Sequence, residues 1–146
     1  MNKETDIKIR EVREEDSESI AALTEELGYY ETNEEIKNKI NKFSKNLSEK
    51  IFVAEYESVI GWMHISYVEP LESKPFVEIK GIVIKREYRN NGIGTKLIHK
   101  AEVWAKDSGC KKIRVRTNIK RAETIKYYKN LKFVSLKTQE VFEKEI

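Results

Sequence analysis

Arg89-Asn90-Asn91-Gly92-Ile93-Gly94 is the stretch on which the reading of this sequence turns. It follows an apolar run over residues 76–84, broken only by Glu78, Lys80 and Gly81, and it precedes Ile93, Leu97, Ala101, Trp104 and Ala105 at helical spacing. A strand therefore leads through a glycine-containing loop into a long helix, which Gly109 can terminate. A helix opening of this kind leaves backbone amides without carbonyl partners at the positive end of the helix dipole, and that makes an anion site. Gly92 and Gly94 withhold the side chains that would keep a phosphate from those amides, while Arg89 and Thr95 offer further donors. Pyrophosphate is the expected guest, and an ordinary tight turn accounts for the same residues. Two other phosphate loops do not match. A dinucleotide fold wants a third glycine where this chain has Leu97, and a Walker loop wants Gly-Lys-Ser/Thr where it has Gly94-Thr95-Lys96.

Upstream of the turn, Ile7, Ile9 and Val12 nearly alternate with charged residues and predict an opening strand. Ile20, Leu23 and Leu27 then share a helix face that Asp16 or Ser17 can cap and Gly28 can end. Thr32-Asn33-Glu34-Glu35 reads as a capping box for a second helix carrying Ile36, Ile40, Phe43 and Leu47. Residues 51–54 and 59–68 predict a hairpin turning near Glu57-Ser58. Downstream, Ile113 and Val115 mark a strand, and Ile125, Tyr128 and Leu131 share the face of a further helix. Residues 133–136 and 141–142 predict two closing strands. The order is β, two helices, three strands, helix, strand, helix and two strands. That is an α/β domain whose strands on either side of the long helix run parallel.

With 146 residues the chain is sized for one domain, spanning 1–146, and it shows no repeat, low-complexity tract or linker. No apolar run approaches the ~20 residues that span a bilayer. The amino terminus carries no apolar leader-like segment, and the single Cys110 has no intramolecular partner, so a reducing, cytoplasmic setting is expected. The net charge of +3 comes from 28 basic and 25 acidic residues that are interleaved, which does not indicate a nucleic-acid partner. One basic cluster, Lys111, Lys112, Arg114, Arg116, Lys120 and Arg121, reads either as the lining of an anion site or as a solvated strand flank. It lacks the interleaved aromatics of a base-stacking surface. No His, Cys and carboxylate spacing suggests a metal, and no Ser-His-Asp order suggests an acyl-enzyme.

The stretch from 89 to 94 resembles the signature of the GNAT superfamily of acetyl-CoA-dependent N-acetyltransferases: Arg or Gln, two residues, Gly, any residue, then Gly or Ala. The resemblance extends from about residue 51 to residue 133. Ile82-Val83-Ile84 is similar to the family's splayed strand, and Tyr127-Tyr128-Lys129-Asn130-Leu131-Lys132-Phe133 to its later motif. Two positions depart from the family pattern. Arg86 stands where Pro is frequent, and Lys132 stands where Gly is usual. Lys132 withdraws an easy left-handed helix end.

The resemblance implies a mixed, mostly antiparallel sheet with a central parallel splayed pair, about seven strands and four helices. It implies acetyl-CoA as co-substrate. The pyrophosphate would lie on the amides of Asn90, Asn91, Gly92, Ile93, Gly94 and Thr95, next to Arg89. The pantetheine arm would lie along Ile82, Val83 and Ile84, with Asn118 near it, and the other reading of Asn118 is a simple turn residue. Tyr128 matches the tyrosine that protonates the departing thiolate, and its other reading is a core aromatic. Glu78 matches the glutamate that several members use as general base, and its other reading is a solvated edge-strand charge or one paired with Lys80. An ammonium cannot attack a thioester until it loses a proton, which is why a base is needed. His64 is a weaker candidate facing the acceptor side, and His99 falls beyond the first turn of the long helix. Direct attack by a primary amine in a ternary complex is the implied mechanism, and a non-catalytic acyl-CoA-binding or regulatory module is the alternative. The acceptor is a small-molecule or peptide amine, and a homodimer is implied by resemblance alone.

Overall fold

The computed structural model describes residues 6–146. The segment 1–5, read above as carrying no leader, lies outside the described residues. The chain divides into two units, one ending at Val115 and the other Arg116–Ile146.

The first unit is built on a five-stranded sheet in sequential order: β1 (Lys8–Glu11), β2 (Glu49–Tyr56), β3 (Ser58–Val68), β4 (Phe76–Ile84) and β5 (Ile113–Val115). β1 to β4 pair antiparallel, and β4 pairs parallel with β5. A parallel neighbour needs a crossover, which α3 (Ile93–Asp107) supplies. Between β1 and β2 lie a 3-10 turn (Glu14–Asp16), α1 (Ser17–Glu25) and α2 (Asn33–Ser44).

Alternation along the strands sorts the core into two layers. Ile20 and Ala21 of α1 and Ile36 and Ile40 of α2 pack on Val53, with Ile51, Val59 and Trp62 alongside. Met63 and Ile65 point the other way and are fully buried, as is Leu97 of α3, which packs against β3 and β4. Burying each such side chain contributes about 1.5–3 kcal/mol.

The helix ends follow the sequence closely. Thr32 Oγ1 accepts from the Glu35 amide at 3.1 Å and Glu35 Oε2 accepts from the Thr32 amide at 2.8 Å, which is the capping box expected at α2. Gly109, at φ 79°, ends α3 with bonds from its own amide to Lys106 O and from the Cys110 amide to Ala105 O. This is the Schellman arrangement, which needs a left-handed residue.

Three expectations are corrected. Asp16 precedes α1 but makes no side-chain cap, because its carboxylate is taken by the Arg10 guanidinium and the Arg13 amide. Leu47 lies beyond the end of α2 and is fully exposed, so the apolar stripe stops at Phe43. Residues 133–136 and 141–142 form no strands, so the described residues hold five strands rather than about seven. Val134, Leu136, Val141 and Phe142 are 69–88% exposed, and β-propensity becomes structure only where a side chain packs on a half-buried sheet face.

The second unit holds α4 (Ala122–Asn130). Lys132 ends it in the left-handed region, at φ 73°, with bonds from its amide to Lys129 O and from the Phe133 amide to Tyr128 O. The Schellman end thus forms without glycine. Tyr128 and Phe133 complete it as an apolar pair, with ring centroids 5.3 Å apart. Lysine holds that backbone at a cost, so Lys132→Gly is expected to stabilise the protein by about 0.5–1 kcal/mol. Chemical denaturation checks this, and a lower midpoint would mean that the Lys132 side chain carries a contact worth more than the strain.

Candidate functional site

β4 changes character at Lys80. In the β3 pairing Ile65 opposes Ile79 and His64 opposes Gly81, so Lys80 is an extra residue, a bulge. The parallel ladder to β5 ends at the same place, its last pair being Ile79 with Val115. Among the described residues no strand pairs with 80–84 on that side, so Ile82, Val83 and Ile84 present backbone along an open edge. Gly81 lets the Trp62 indole lie across the strand here, since a Cβ would meet its ring at 2.9 Å.

Beyond Ile84 the chain makes a 3-10 turn (Arg86–Tyr88) and then the loop that opens α3. Asn90 at φ 66° and Gly92 at φ 74° are both left-handed. The Asn91 amide group donates to Tyr88 O and to Arg89 O, each at 3.1 Å, and holds the loop closed. The first bond within the helix runs from Lys96 N to Gly92 O, so the amides of Ile93 and Gly94 precede it. No side chain caps this end and its first turn holds no acidic residue. An anion is the complement such a terminus lacks. Arg89 Nε donates to Ile84 O at 2.9 Å, and its Nη2 lies 3.3 Å from Glu26, so this guanidinium ties the loop to the end of β4 and to the end of α1.

Glu78 lies one turn of the pleat before the bulge and is 7% exposed. It stands directly opposite Ser66 on β3 and shares the sheet face that carries α1 and α2. Lys80 Nζ is 3.5 Å from Glu78 Oε2, so the carboxylate is both buried and ion-paired. His64 occupies the same face, stacked on Phe43 with centroids 4.8 Å apart. Its Nε2 lies 3.0 Å from Glu49 Oε1. His99 is exposed on α3. Arg114 of the basic cluster lies 4.0 Å above the Phe76 ring, while Lys111, Lys112, Arg116, Lys120 and Arg121 are exposed.

In the second unit Tyr128 is 8% exposed and is the more buried of the tyrosine pair, with Tyr127 at 38% and their centroids 5.4 Å apart. Burial, with a smaller effect of Tyr127, pushes the Tyr128 phenol up to about 12. The group keeps its proton throughout the neutral range. Asn118 is exposed, and its side-chain oxygen accepts from the Lys120 amide at 2.9 Å, the bond of an Asx turn.

Comparison with known proteins decides the family. The model of the acetyltransferase (GNAT) family matches residues 9–133. The chain belongs to the GNAT family. An uncharacterized N-acetyltransferase of Chlorobaculum tepidum is 29% identical over 110 residues, covering 75% of this chain and 66% of its own length. An aminoglycoside N(6')-acetyltransferase type 1 of Acinetobacter baumannii is 39% identical over 44 residues, 30% of either chain. The chain thus spans two thirds or less of the curated relatives it matches. Among solved structures, the aminoglycoside N-acetyltransferase AAC(6')-Iy in complex with CoA has a TM-score of 0.84 at 19% identity, covering 96% of this chain and 95% of that one. At that identity the likeness shows the fold, a mixed sheet with one parallel pair.

For this GNAT chain the structure brings the turn, the open edge and Glu78 together in one unit, while Tyr128 and Asn118 belong to the other. Sequence reasoning took Asn90 and Asn91 for their backbone amides alone; the structure adds that Asn90 is left-handed and that the Asn91 side chain closes the loop, and asparagine's tolerance of left-handed backbone was the available signal. Glu49 was overlooked as the partner of His64, since nothing local connects two residues on different strands. Among the described residues no group of His, Cys, Asp and Glu is arranged to hold a metal, and no helix is long and apolar enough to cross a membrane.

Proposed function

We propose that this chain transfers an acetyl group from acetyl-CoA to a primary amine by direct attack in a ternary complex. The observation that carries the reading is the open edge of β4 at 82–84 leading into the uncapped start of α3. Pantetheine has two amides, and these complete the hydrogen bonds of a strand edge that has lost its neighbour. The pyrophosphate then falls on the amides of residues 90–95, with Arg89 holding the loop in shape and Asn118 near the arm. Only this combination makes the turn a CoA site.

Glu78 takes the proton from the acceptor ammonium, with Lys80, 46% exposed, swinging away from it. The amine nitrogen attacks the thioester carbon, an amide of the open edge steadies the oxygen as it becomes negative, and the carbon–sulfur bond breaks. Tyr128 donates its proton to the departing thiolate, the second proton that the nitrogen sheds as the amide forms restores the phenol, and the proton held by Glu78 passes to solvent. A phenol whose burial keeps it protonated suits that task. The family match runs through both units, which supports reading residues 1–146 as one catalytic domain, and the expected setting is cytoplasmic.

Calorimetry with CoA and acetyl-CoA tests the cofactor site, and thiol release across an amine panel tests the reaction. Absence of binding would end this reading. Tight CoA binding with no thiol release from any amine would favour a regulatory acyl-CoA-binding module instead. Tyr128→Phe is expected to lower kcat by about 10²-fold with CoA affinity nearly unchanged. An undiminished rate would return Tyr128 to a packing role.

A further inference from the structure

Glu49 at the start of β2 stands directly opposite Ser66 on β3, and Ser66 stands directly opposite Glu78 on β4. Directly opposed residues on neighbouring strands share a face, so these three side chains form one row across the sheet. Two features of the row are unusual. Ser66 is 3% exposed, and among the described residues its hydroxyl has no hydrogen-bond partner, which is costly for a buried polar group. Glu49 has a side chain only 16% exposed, and the sole group within ion-pair distance among the described residues is His64 Nε2 at 3.0 Å.

That imidazole does not neutralise the carboxylate. Burial holds the His64 pKa below its ordinary value, against the opposing pull of Glu49, with Lys80 adding to the depression. Neutral His64, fixed flat on Phe43, donates one hydrogen to Glu49 and leaves its negative charge intact. Glu78, in contrast, has Lys80 beside it. A half-buried carboxylate that is held in place, uncompensated, and next to an unpartnered hydroxyl is a binding site for a cation with N–H groups.

We propose that Glu49, positioned by His64 and joined by Ser66, forms a subsite for a second ammonium group of the acceptor, so that the substrate is a diamine or polyamine. The proposal rests on the acetyl-transfer reading in which Glu78 receives the reacting amine. Strands two apart in a sheet are separated by roughly 10 Å, so the two nitrogens of the acceptor are separated by about that distance or a little less.

Cadaverine and pentylamine, which have the same carbon chain and differ by one terminal ammonium, test this at saturating acetyl-CoA. The ratio of their kcat/KM values should favour cadaverine by about tenfold or more in the native protein. Glu49→Gln should collapse that ratio, mainly through the KM for cadaverine, and Ser66→Ala should lower it by a smaller factor. Ser66→Ala also serves if Glu49→Gln proves unstable by thermal melting. Equal use of the two amines by the native protein, or a ratio that survives Glu49→Gln, overturns the subsite and leaves acetyl transfer standing. Failure of both amines together with failure to bind CoA overturns the acetyl-transfer reading, and the subsite falls with it.

Discussion

Glu78→Gln is expected to lower kcat at neutral pH by about 10²–10⁴-fold while leaving CoA affinity within about twofold. Glutamine keeps the shape and the hydrogen-bonding capacity of the side chain but cannot accept the proton of an ammonium. The buried position is thus retained and only the chemistry is removed. Lys80 loses its partner, yet it is 46% exposed, so the fold should lose little stability. The loss of rate should also shrink as pH rises toward the acceptor's own pKa, about 10 for an alkylamine. There the amine arrives already deprotonated and the base has less to do. Thiol release measured between pH 7 and pH 10 checks both parts. A rate unaffected at pH 7 would leave Glu78 to its ion pair with Lys80 and send the search for a base elsewhere on the face. A constant deficit across the range would mean that Glu78 positions the acceptor rather than deprotonating it.

The parts of this site that could be read from the sequence are those whose cause is local. Gly92 and Gly94 before a run at helical spacing announce a helix opening, and Thr32 with Glu35 announces another, because each device is confined to a few consecutive residues. The bulge at Lys80 could not be read in that way. It consists of two residues on β4 opposing one on β3, and a two-against-one count belongs to the pair of strands. The same holds for the row through Glu49, Ser66 and Glu78, which exists only once the register is set. Gly81 was visible as an interruption, but the reason for it, the Trp62 ring lying across the strand, was not. The errors at the carboxyl end have a related origin. Val134, Leu136, Val141 and Phe142 have strand-forming side chains, and only tertiary surroundings decide whether such a segment finds a face to pack on. Lys132 gave the opposite lesson. Its side chain argues against a left-handed helix end, and the Tyr128 and Phe133 contact together with two backbone bonds outweighs that preference.

Asp16→Ala is expected to be the most destabilising single change at the junction between β1 and α1, by about 3–5 kcal/mol. Arg10 and Asp16 meet through two bonds of 2.8 and 2.9 Å, with side chains only 9% and 6% exposed, and Asp16 also accepts from the Arg13 amide at 2.7 Å. Truncation leaves the Arg10 guanidinium buried with, among the described residues, only the Glu55 carboxylate, at 2.9 Å, in ion-pair contact. It also removes the carboxylate that aligns the chain for α1, the helix whose end holds Glu26 against Arg89. Loss of this carboxylate should therefore loosen the turn as well as the core. The pH dependence has a definite sign. Burial opposes ionisation of Asp16, but the Arg10 guanidinium and the Arg13 amide outweigh it and hold the carboxyl below the usual carboxylate range. A group whose pKa is depressed by folding contributes stability above its unfolded value, near 4, and loses it as pH falls through the lower folded value. The native protein should accordingly lose stability steeply below about pH 4, and Asp16→Asn, already weaker at pH 7, should show a shallower slope there. Denaturation midpoints taken from pH 7 down to pH 2 measure both. Parallel slopes for the two proteins would show that acid sensitivity arises from other carboxylates, and a midpoint unchanged at pH 7 would show that Glu55 alone suffices to hold Arg10.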